Sequence, residues 1–309
     1  MENKNNYKAW LYLAPVLILL GLFTFYPLVN TFLISFLADY HYDTGYFSGF
    51  TLDNYGIVLN IISAPDWLPE QGAAPAFTQY ALGNTMFIAA VTVPLSIIIS
   101  LGIAVLINSI KVCKKLFQTI FFTPYVTNVV AVGMLFSVIF ADHGLFNDIF
   151  GIPGTSWVSM DGLTWGRAMF ALCTQIIWYE CPYKILIFLS GLQGIDKQYY
   201  DSAKVDSVSK WKVLTKITIP LLSPQIFYIS ITSFIGAFKE YQSVIGLFDR
   251  PGTTANSYNL YTCVYYIYDV LKNPNLSVSY ASAAAVILFL IILAFTGIQL
   301  WVGKKKVHY

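Results

Sequence analysis

Four ionisable side chains, Glu180, Lys184, Lys239 and Glu240, stand inside long apolar stretches of the chain. In a membrane each would cost roughly 3 kcal/mol on insertion scales unless paired or wetted. Glu180 and Lys184 are four residues apart with the glutamate on the N-terminal side, so they can pair along one helix face. Lys239 and Glu240 are adjacent and therefore point in different directions. Two readings stand side by side: an ion pair or interhelical tie, and the wall of a solute pathway. Together with Gln175, Trp178, Tyr179, Tyr241 and Gln242, the four would make a polar, aromatic lining suited to a hydroxyl-rich ligand.

A second patterned region covers residues 192–220. At 100° per residue, Tyr200, Ala203, Ser207, Trp211 and Leu214 fall within an arc of about 80°, the narrow semi-apolar stripe of a helix that docks one face on a partner. Asp196 and Asp201 near its start and Lys210, Lys212 and Lys216 near its end match the helix dipole. An amphipathic helix on anionic lipid is the alternative, but its polar face would be more uniformly basic than this Asp/Lys mixture.

Other chemistries lack their residues. His41, His143 and His308 are far apart and outside the apolar runs, and Cys113, Cys173, Cys181 and Cys263 include no C-x-x-C pair. The cysteines read as small buried hydrophobes. The chain has no G-x-S-x-G and no G-x-x-x-x-G-K-[ST], so neither a nucleophile elbow nor an ATP-phosphate loop is present. No cofactor or metal is expected, and the chain is not expected to be an enzyme. A formal net charge of +2 gives no basic field for nucleic acid.

The elements that must position these residues follow from composition. Of 309 residues, 57% are hydrophobic and 11% charged, against about 25% charged in soluble domains. Apolar stretches at residues 10–37, 81–108, 118–140, 166–191, 220–247 and 280–302 predict six transmembrane helices. Near-continuous runs at residues 91–106 and 283–293 argue against short alternating strands. The first stretch, preceded by Lys4 and Lys8, is too long for a signal peptide and carries Pro15 and Pro27, so it reads as an uncleaved span.

Of the 18 basic residues, 13 lie in alternate segments: Lys4 and Lys8; Lys111, Lys114 and Lys115; Lys197, Lys204, Lys210, Lys212 and Lys216; Lys304, Lys305 and Lys306. By the positive-inside rule both termini and the loops after spans two and four are cytoplasmic. Asp39, Asp43, Asp53, Asp66 and Glu70, then Asp142, Asp148 and Asp161, fall in the outer loops. Trp10, Trp165 and Trp301 at span ends suit the headgroup belt better than sugar stacking. Pro94, Gly102 and Gly133 fit close packing or kinks. The Gly162 to Gly166 spacing and the Asn275-Leu276-Ser277 acceptor pattern are too short to carry weight. The organisation expected is one transmembrane domain over 1–309, with a first span and outer loop (1–79) and a five-helix core (80–302) containing the loop 193–219.

The run Tyr200-Asp-Ser-Ala-Lys-Val-Asp-Ser-Val-Ser, followed by Ile217-Thr-Ile-Pro-Leu-Leu-Ser-Pro224, resembles the EAA loop of binding-protein-dependent ABC importer permeases. The usual form is E-A-A-x-x-D-G-A-S, a spacer, and I-T-L-P-L-L-x-P. By position, Asp201 stands at the family's acidic residue, Ala203 at the second alanine, Asp206 at the aspartate and Pro220 at the proline opening the next span. Ser202 replaces the first alanine, Asp196 replaces the proline before the motif, and Ser207 replaces the glycine. The last departure bears on the turn, since glycine permits backbone angles that serine adopts only at a cost.

Resemblance extends through residues 10–36, Thr123-Pro-Tyr-Val, Gly144-Leu-Phe-Asn, residues 178–192, residues 246–268 and Tyr280-Ala-Ser-Ala-Ala-Ala-Val; Arg250-Pro251-Gly252 stands where the carbohydrate-type subgroup has G-G-P. That subgroup imports oligosaccharides or glycerol-3-phosphate. The resemblance implies an all-α integral membrane protein with the type I ABC importer (MetI-like) permease fold, in a bacterial-type plasma membrane. It also implies a second homologous permease, two ATPase subunits that bind the ATP, and an extracytoplasmic substrate-binding protein. The loop would couple to the ATPase through Tyr200, Asp201, Ala203, Asp206, Ser207, Trp211 and Pro220, and Gln175, Trp178, Tyr179, Glu180, Glu240 and Gln242 are the candidate pathway residues. Rival readings are an ion-driven secondary transporter, an integral-membrane enzyme, and a channel or scaffold; no internal repeat supports the first and no catalytic motif the second.

Overall fold

The computed structural model describes residues 6–62, 77–110, 114–159, 163–248, 260–273 and 276–306. Lys4, Asp66, Glu70, Lys111, Cys113, Asp161, Gly162, Arg250, Pro251, Gly252, Asn275 and His308 lie outside the described residues. The chain divides into two units, residues 1–78 with 266–290, and residues 79–265 with 291–309.

In the first unit, α1 runs through Asn6–Leu20, a π-helical turn Gly21–Phe25 and Tyr26–Ile34. Trp10–Ile34 is long and apolar enough to cross a membrane, and its side chains, Leu11, Leu19 and Phe23 among them, are exposed. A two-residue antiparallel ladder follows, β1 (Leu37–Ala38) against β2 (Gly49–Phe50), and then α2 (Asp53–Val58). Buried Asn54 pins this loop by donating to the carbonyls of Ser35 (3.0 Å) and Leu37 (2.8 Å). Tyr40 pairs with the start of the last helix, its carbonyl accepting from the Val278 amide at 3.1 Å and the Ser277 hydroxyl at 3.2 Å.

The second unit is built on two long helices. After a π-helical turn, α3 (Leu82–Ser109) packs along α7 (Trp165–Gly194). Between them in sequence lie α4 (Lys114–Val126), α5 (Val129–Ile139) and the short α6 (Leu145–Phe150). After α7 come α8 (Lys197–Val205), then α9, formed by Lys210–Val213, Leu214–Thr218 and Ile219–Leu221. Next come α10 (Ser223–Phe238) and α11 (Gln242–Phe248), and boundaries between the units fall within the last two helices, α12 (Cys263–Lys272) and α13 (Val278–Lys306).

Buried polar side chains stitch α3 to its neighbours. Trp165 Nε1 donates to Asn84 Oδ1 at 2.8 Å, Asn84 donates to the Tyr261 carbonyl at 2.9 Å, and Ser100 donates to the Cys181 carbonyl at 3.3 Å. Asn84 meets Trp165 while Ser100 meets Cys181, so α3 and α7 run parallel, and the chain must return between them. Trp165 therefore holds an interhelical bond as well as being 41% exposed. Cys173, Cys181 and Cys263 are free and buried.

Three expectations change. The 118–140 stretch is not a straight span: α4 and α5 meet at 98°, because Asn128 starts a new helix by accepting from the Val130 amide at 2.8 Å. The 220–247 stretch breaks twice, with a 68° bend at Leu222 and a second break at Lys239 to Tyr241, so Lys239 and Glu240 sit at a helix end. The single amphipathic helix through Tyr200 and Leu214 is two helices. Three helices among the described residues are long and apolar enough to span, and five if each bent pair counts once. The 30-residue α7 is not among them, since Glu180 and Lys184 lower its apolarity.

Candidate functional site

The patterned loop is organised by its caps. Asp196 opens α8 by accepting from the Gln198 amide at 3.0 Å. The helix ends in a Schellman motif: the Ser207 amide bonds the Lys204 carbonyl at 3.0 Å and the Val208 amide bonds the Ala203 carbonyl at 2.9 Å. Ser207 takes φ of +53°, the left-handed conformation that favours glycine. The turn is thus kept despite the substitution, and it is what breaks the expected stripe. Ser209 then caps α9, accepting from the Lys212 amide.

Ala203 is 5% exposed, facing a cavity of about 650 Å³ bounded by Val105 of α3, Tyr200 and Leu214. The Tyr200 hydroxyl shares a hydrogen bond with Thr218 at 3.3 Å, tying α8 to α9. Trp211 faces away, 72% exposed. Asp201 and Lys204 form an exposed pair at 2.7 Å, and the Lys204 ammonium holds the Asp201 carboxyl below its ordinary range. Asp206 is the C-cap of α8, and Pro220 lies in the last turn of α9, ahead of the bend. Sequence reasoning missed Val205, 85% exposed. It sits among polar neighbours, and that mismatch was the available signal. With Tyr199, Val208 and Trp211, which are also exposed, it leaves apolar side chains uncovered on this charged loop.

The second cluster lies on one face of α7. Lys184, 2% exposed, pairs with Glu180 and donates to Ser96 Oγ of α3 at 2.5 Å; Ser96 in turn donates to the Val93 carbonyl. The anticipated ion pair and interhelical tie are present, the ammonium bridging α7 and α3, while the carboxylate is partly open, its side chain 22% exposed. Beside it, the Tyr125 and Tyr183 rings stack at 5.4 Å, and the Tyr183 and Tyr228 hydroxyls lie 3.3 Å apart. Tyr125 is 40% and Tyr228 50% exposed. None of these three was singled out from sequence, although Tyr179 and Tyr183 share the helical spacing of Glu180 and Lys184. Tyr179 donates to the Thr127 carbonyl at the α4–α5 break.

Glu240 accepts from the Ser243 amide at 2.9 Å and so braces the start of α11, while its carbonyl accepts from Thr262 at 2.6 Å. Gln242 is exposed in the first turn of α11. Trp178 turns to Phe136, ring centres 5.4 Å apart. Gln175 is not brought to this face. It is wholly buried next to the cluster of Cys173, Ile176 and Leu172, and its amide finds no hydrogen-bond partner. Gly133 of α5 and Gly246 of α11 cross at a separation that admits no side chain, a Cβ on Gly133 meeting the Gly246 carbonyl carbon at 2.6 Å. Among the described residues no group of three or more His, Cys, Asp or Glu could hold a metal ion.

Residues 96–308 match the family described as the binding-protein-dependent transport system inner membrane component. The chain is similar to the lactose transport system permease protein LacF of Rhizobium radiobacter, 28% identical over 97% of this chain and 95% of that protein. It is 27% identical to the arabinooligosaccharides transport system permease protein AraP of Halalkalibacterium halodurans, over 97% of this chain and 88% of that one. Its fold is similar to a chain in the crystal structure of a bacterial ABC transporter involved in the import of the acidic polysaccharide alginate: TM-score 0.80, 18% identity, covering 99% of this chain and 98% of the other.

Proposed function

The chain belongs to the family of binding-protein-dependent transport system inner membrane components, and from that premise we propose how this inner-membrane permease, which is not an enzyme, carries out its part in a sugar ABC importer. Its solute is a sugar or oligosaccharide, as the names of the LacF and AraP relatives suggest. Six passes cross the membrane: α1, α3, the α4–α5 pair, α7, the α9–α10 pair and α13. A helix of 30 residues is about 45 Å long, enough for α7 to cross despite its charges. The parallel run of α3 and α7 agrees with one intervening pass, and the lysine distribution puts both termini in the cytoplasm.

The chain works with a second, homologous permease, two ATPase subunits that bind the ATP, and an extracytoplasmic binding protein. Coupling is carried by α8 and the turn after it. Supporting this reading is one arrangement: Ala203 faces the permease interior while Val205 and Trp211 stand uncovered on the loop. A partner gripping those two side chains moves α8, and Tyr200 with Thr218 passes the displacement to α9 and α10. Alternating access requires the ATP-bound partner to favour one arrangement over another, and this contact supplies the difference.

The test uses the assembled importer in proteoliposomes. Asp201→Lys reverses the charge beside Lys204, and Ala203→Trp forces a bulky ring into the cavity under α8. Both are expected to leave ATP hydrolysis running while solute uptake falls at least about ten-fold, a change that about 1.4 kcal/mol of lost coupling energy produces. Normal uptake and normal solute-stimulated hydrolysis in both variants would rule the coupling assignment out.

A further inference from the structure

The tyrosine-bordered face of α7 and α10 has a charge arrangement that neither the family nor the relatives' names assign, and its meaning rests on the reading of that face as pathway. Lys184 lies behind the face, nearly unexposed, and holds Glu180 through the Oε2 oxygen while donating to Ser96. The other oxygen, Oε1, is turned toward α10. There the exposed Gly236 leaves it uncovered: a Cβ on Gly236 would stand 3.9 Å away, over the carboxylate. Farther along α7 lies a separate cleft of about 510 Å³, lined by Ile187, Gly191 and Gln225 among others.

We infer that Lys184 is a positioning residue that presents one Glu180 oxygen to the solute, and that this carboxylate makes the pathway select uncharged or amine-bearing saccharides over acidic ones. An ionised carboxylate only accepts hydrogen bonds. It therefore serves sugar hydroxyls or an ammonium; the hydroxyls of a uronate or a phosphate ester can donate to it as well, but their anionic group is repelled by its charge. The Glu180–Lys184 pair is a dipole with its negative end outward, because the ammonium is the buried partner. An approaching anion meets the carboxylate first and the cation at a greater distance. Glu240 is occupied in bracing α11 through the Ser243 amide, and Lys239, exposed at the end of α10, precedes it in the chain. One of the Tyr183 and Tyr228 hydroxyls donates to the other, and the Tyr125 ring, stacked on Tyr183 and 40% exposed, offers an apolar surface for a pyranose face.

The test reads solute contact without the binding protein, whose own selectivity would mask the pathway. The purified importer complex in lipid nanodiscs is mixed with galactose, galactosamine or galacturonate, three probes of one ring differing in one substituent, and saturation-transfer NMR is recorded. Galactose and galactosamine are expected to show transfer, and galacturonate about five-fold less, the scale of a like-charge contact in a partly wetted site. Glu180→Gln brings galacturonate to within about two-fold of galactose, the field of the carboxylate being gone. Lys184→Met weakens galactose contact, and the double variant is no worse than Glu180→Gln alone, because Lys184 acts only through Glu180. Where Lys184→Met fails to assemble, Ser96→Ala loosens the same ammonium and is expected to weaken galactose contact in the same direction.

Equal transfer from galactose and galacturonate in the unaltered complex, no transfer from any probe, or an unchanged ratio in Glu180→Gln overturns the inference. Hydrolysis stimulated by the binding protein, measured on the same nanodiscs, separates the two levels. If stimulation is present while the ratio is flat, only the charge selection falls. Its absence removes the pathway reading as well.

Discussion

Ser207 offers a direct measurement of what the loop's geometry costs. A residue with a side chain held at φ of +53° carries a penalty of roughly 1 kcal/mol relative to glycine, from the contact between Cβ and its own backbone. Glycine repays part of this through greater freedom in the unfolded chain, worth a few tenths of a kcal/mol at such a site. Ser207→Gly should therefore stabilise the closed turn by about 0.5–1 kcal/mol. The amides that report it are those of Ser207 and Val208, bonded to the Lys204 and Ala203 carbonyls at 3.0 and 2.9 Å. In hydrogen exchange by mass spectrometry on the assembled importer, peptides covering residues 203–209 should exchange about two- to five-fold more slowly in the variant, and those from α3 should not change. Ser207→Val should speed exchange, because a β-branched residue tolerates this conformation worst. Exchange that is unchanged or faster in Ser207→Gly would refute the assignment of a left-handed cap, and with it the break between α8 and α9.

Other consequences can be read in stability and uptake. Gln175→Leu removes an amide buried without a partner, which costs about 1–3 kcal/mol; thermal unfolding of the complex should shift upward with uptake unchanged, and lost uptake would return Gln175 to the pathway. Gly246→Val pushes a branched side chain into the crossing with α5, where even its Cβ would be 2.8 Å from the Val130 carbonyl oxygen. Overpacking of this kind costs about 1–3 kcal/mol, so the midpoint should fall by several degrees, whereas Gly297→Ala, with open space around it, should be silent. The Asp201–Lys204 pair has a defined pH window: Lys204 holds the Asp201 carboxyl low, so the pair is intact above the ordinary carboxylate range near about pH 4 and is lost as pH falls through the lowered value. Coupled uptake measured between pH 5.5 and 8 should show no step removed by Asp201→Asn.

Long apolar runs made α3 and α13 legible, because lipid tolerates little else along a crossing helix. The acidic position and aspartates of the loop were legible too, through spacing. Continuity was not. Asn128 looks like one polar residue in an apolar run, yet as an N-cap its side chain replaces the missing backbone acceptor and turns the chain through 98°. The stripe from Tyr200 to Leu214 assumed a constant 100° advance, and a single left-handed residue resets that count. Ser207 carried the warning, since it occupies the family's glycine position, but only the backbone shows that the angle survives the exchange. Gln175 misled in the opposite sense: composition pairs it with Tyr179 and Glu180, but five residues separate Gln175 from Glu180, and at 100° each this puts them about 140° apart on α7.

The same geometry explains how α7 carries interior charges that α3 lacks. Its interior charges are affordable only because Lys184 is solvated by protein, through Glu180 and Ser96, where lipid or a void would leave it unpaired. That arrangement needs a small hydroxyl on α3 at the right level, which ties Ser96 to Lys184 and fixes the axial register of the two helices. It also forces the carboxylate to the opposite side of the ammonium, toward α10, since the ammonium occupies the interior. The position of this carboxylate thus follows from how a buried lysine must be satisfied, and Ser96→Ala, which removes the hydroxyl that meets the ammonium, should lower the thermal midpoint of the complex, since a buried donor left short of a partner costs about 1–3 kcal/mol. An unchanged midpoint would show that the ammonium is held by something other than Ser96.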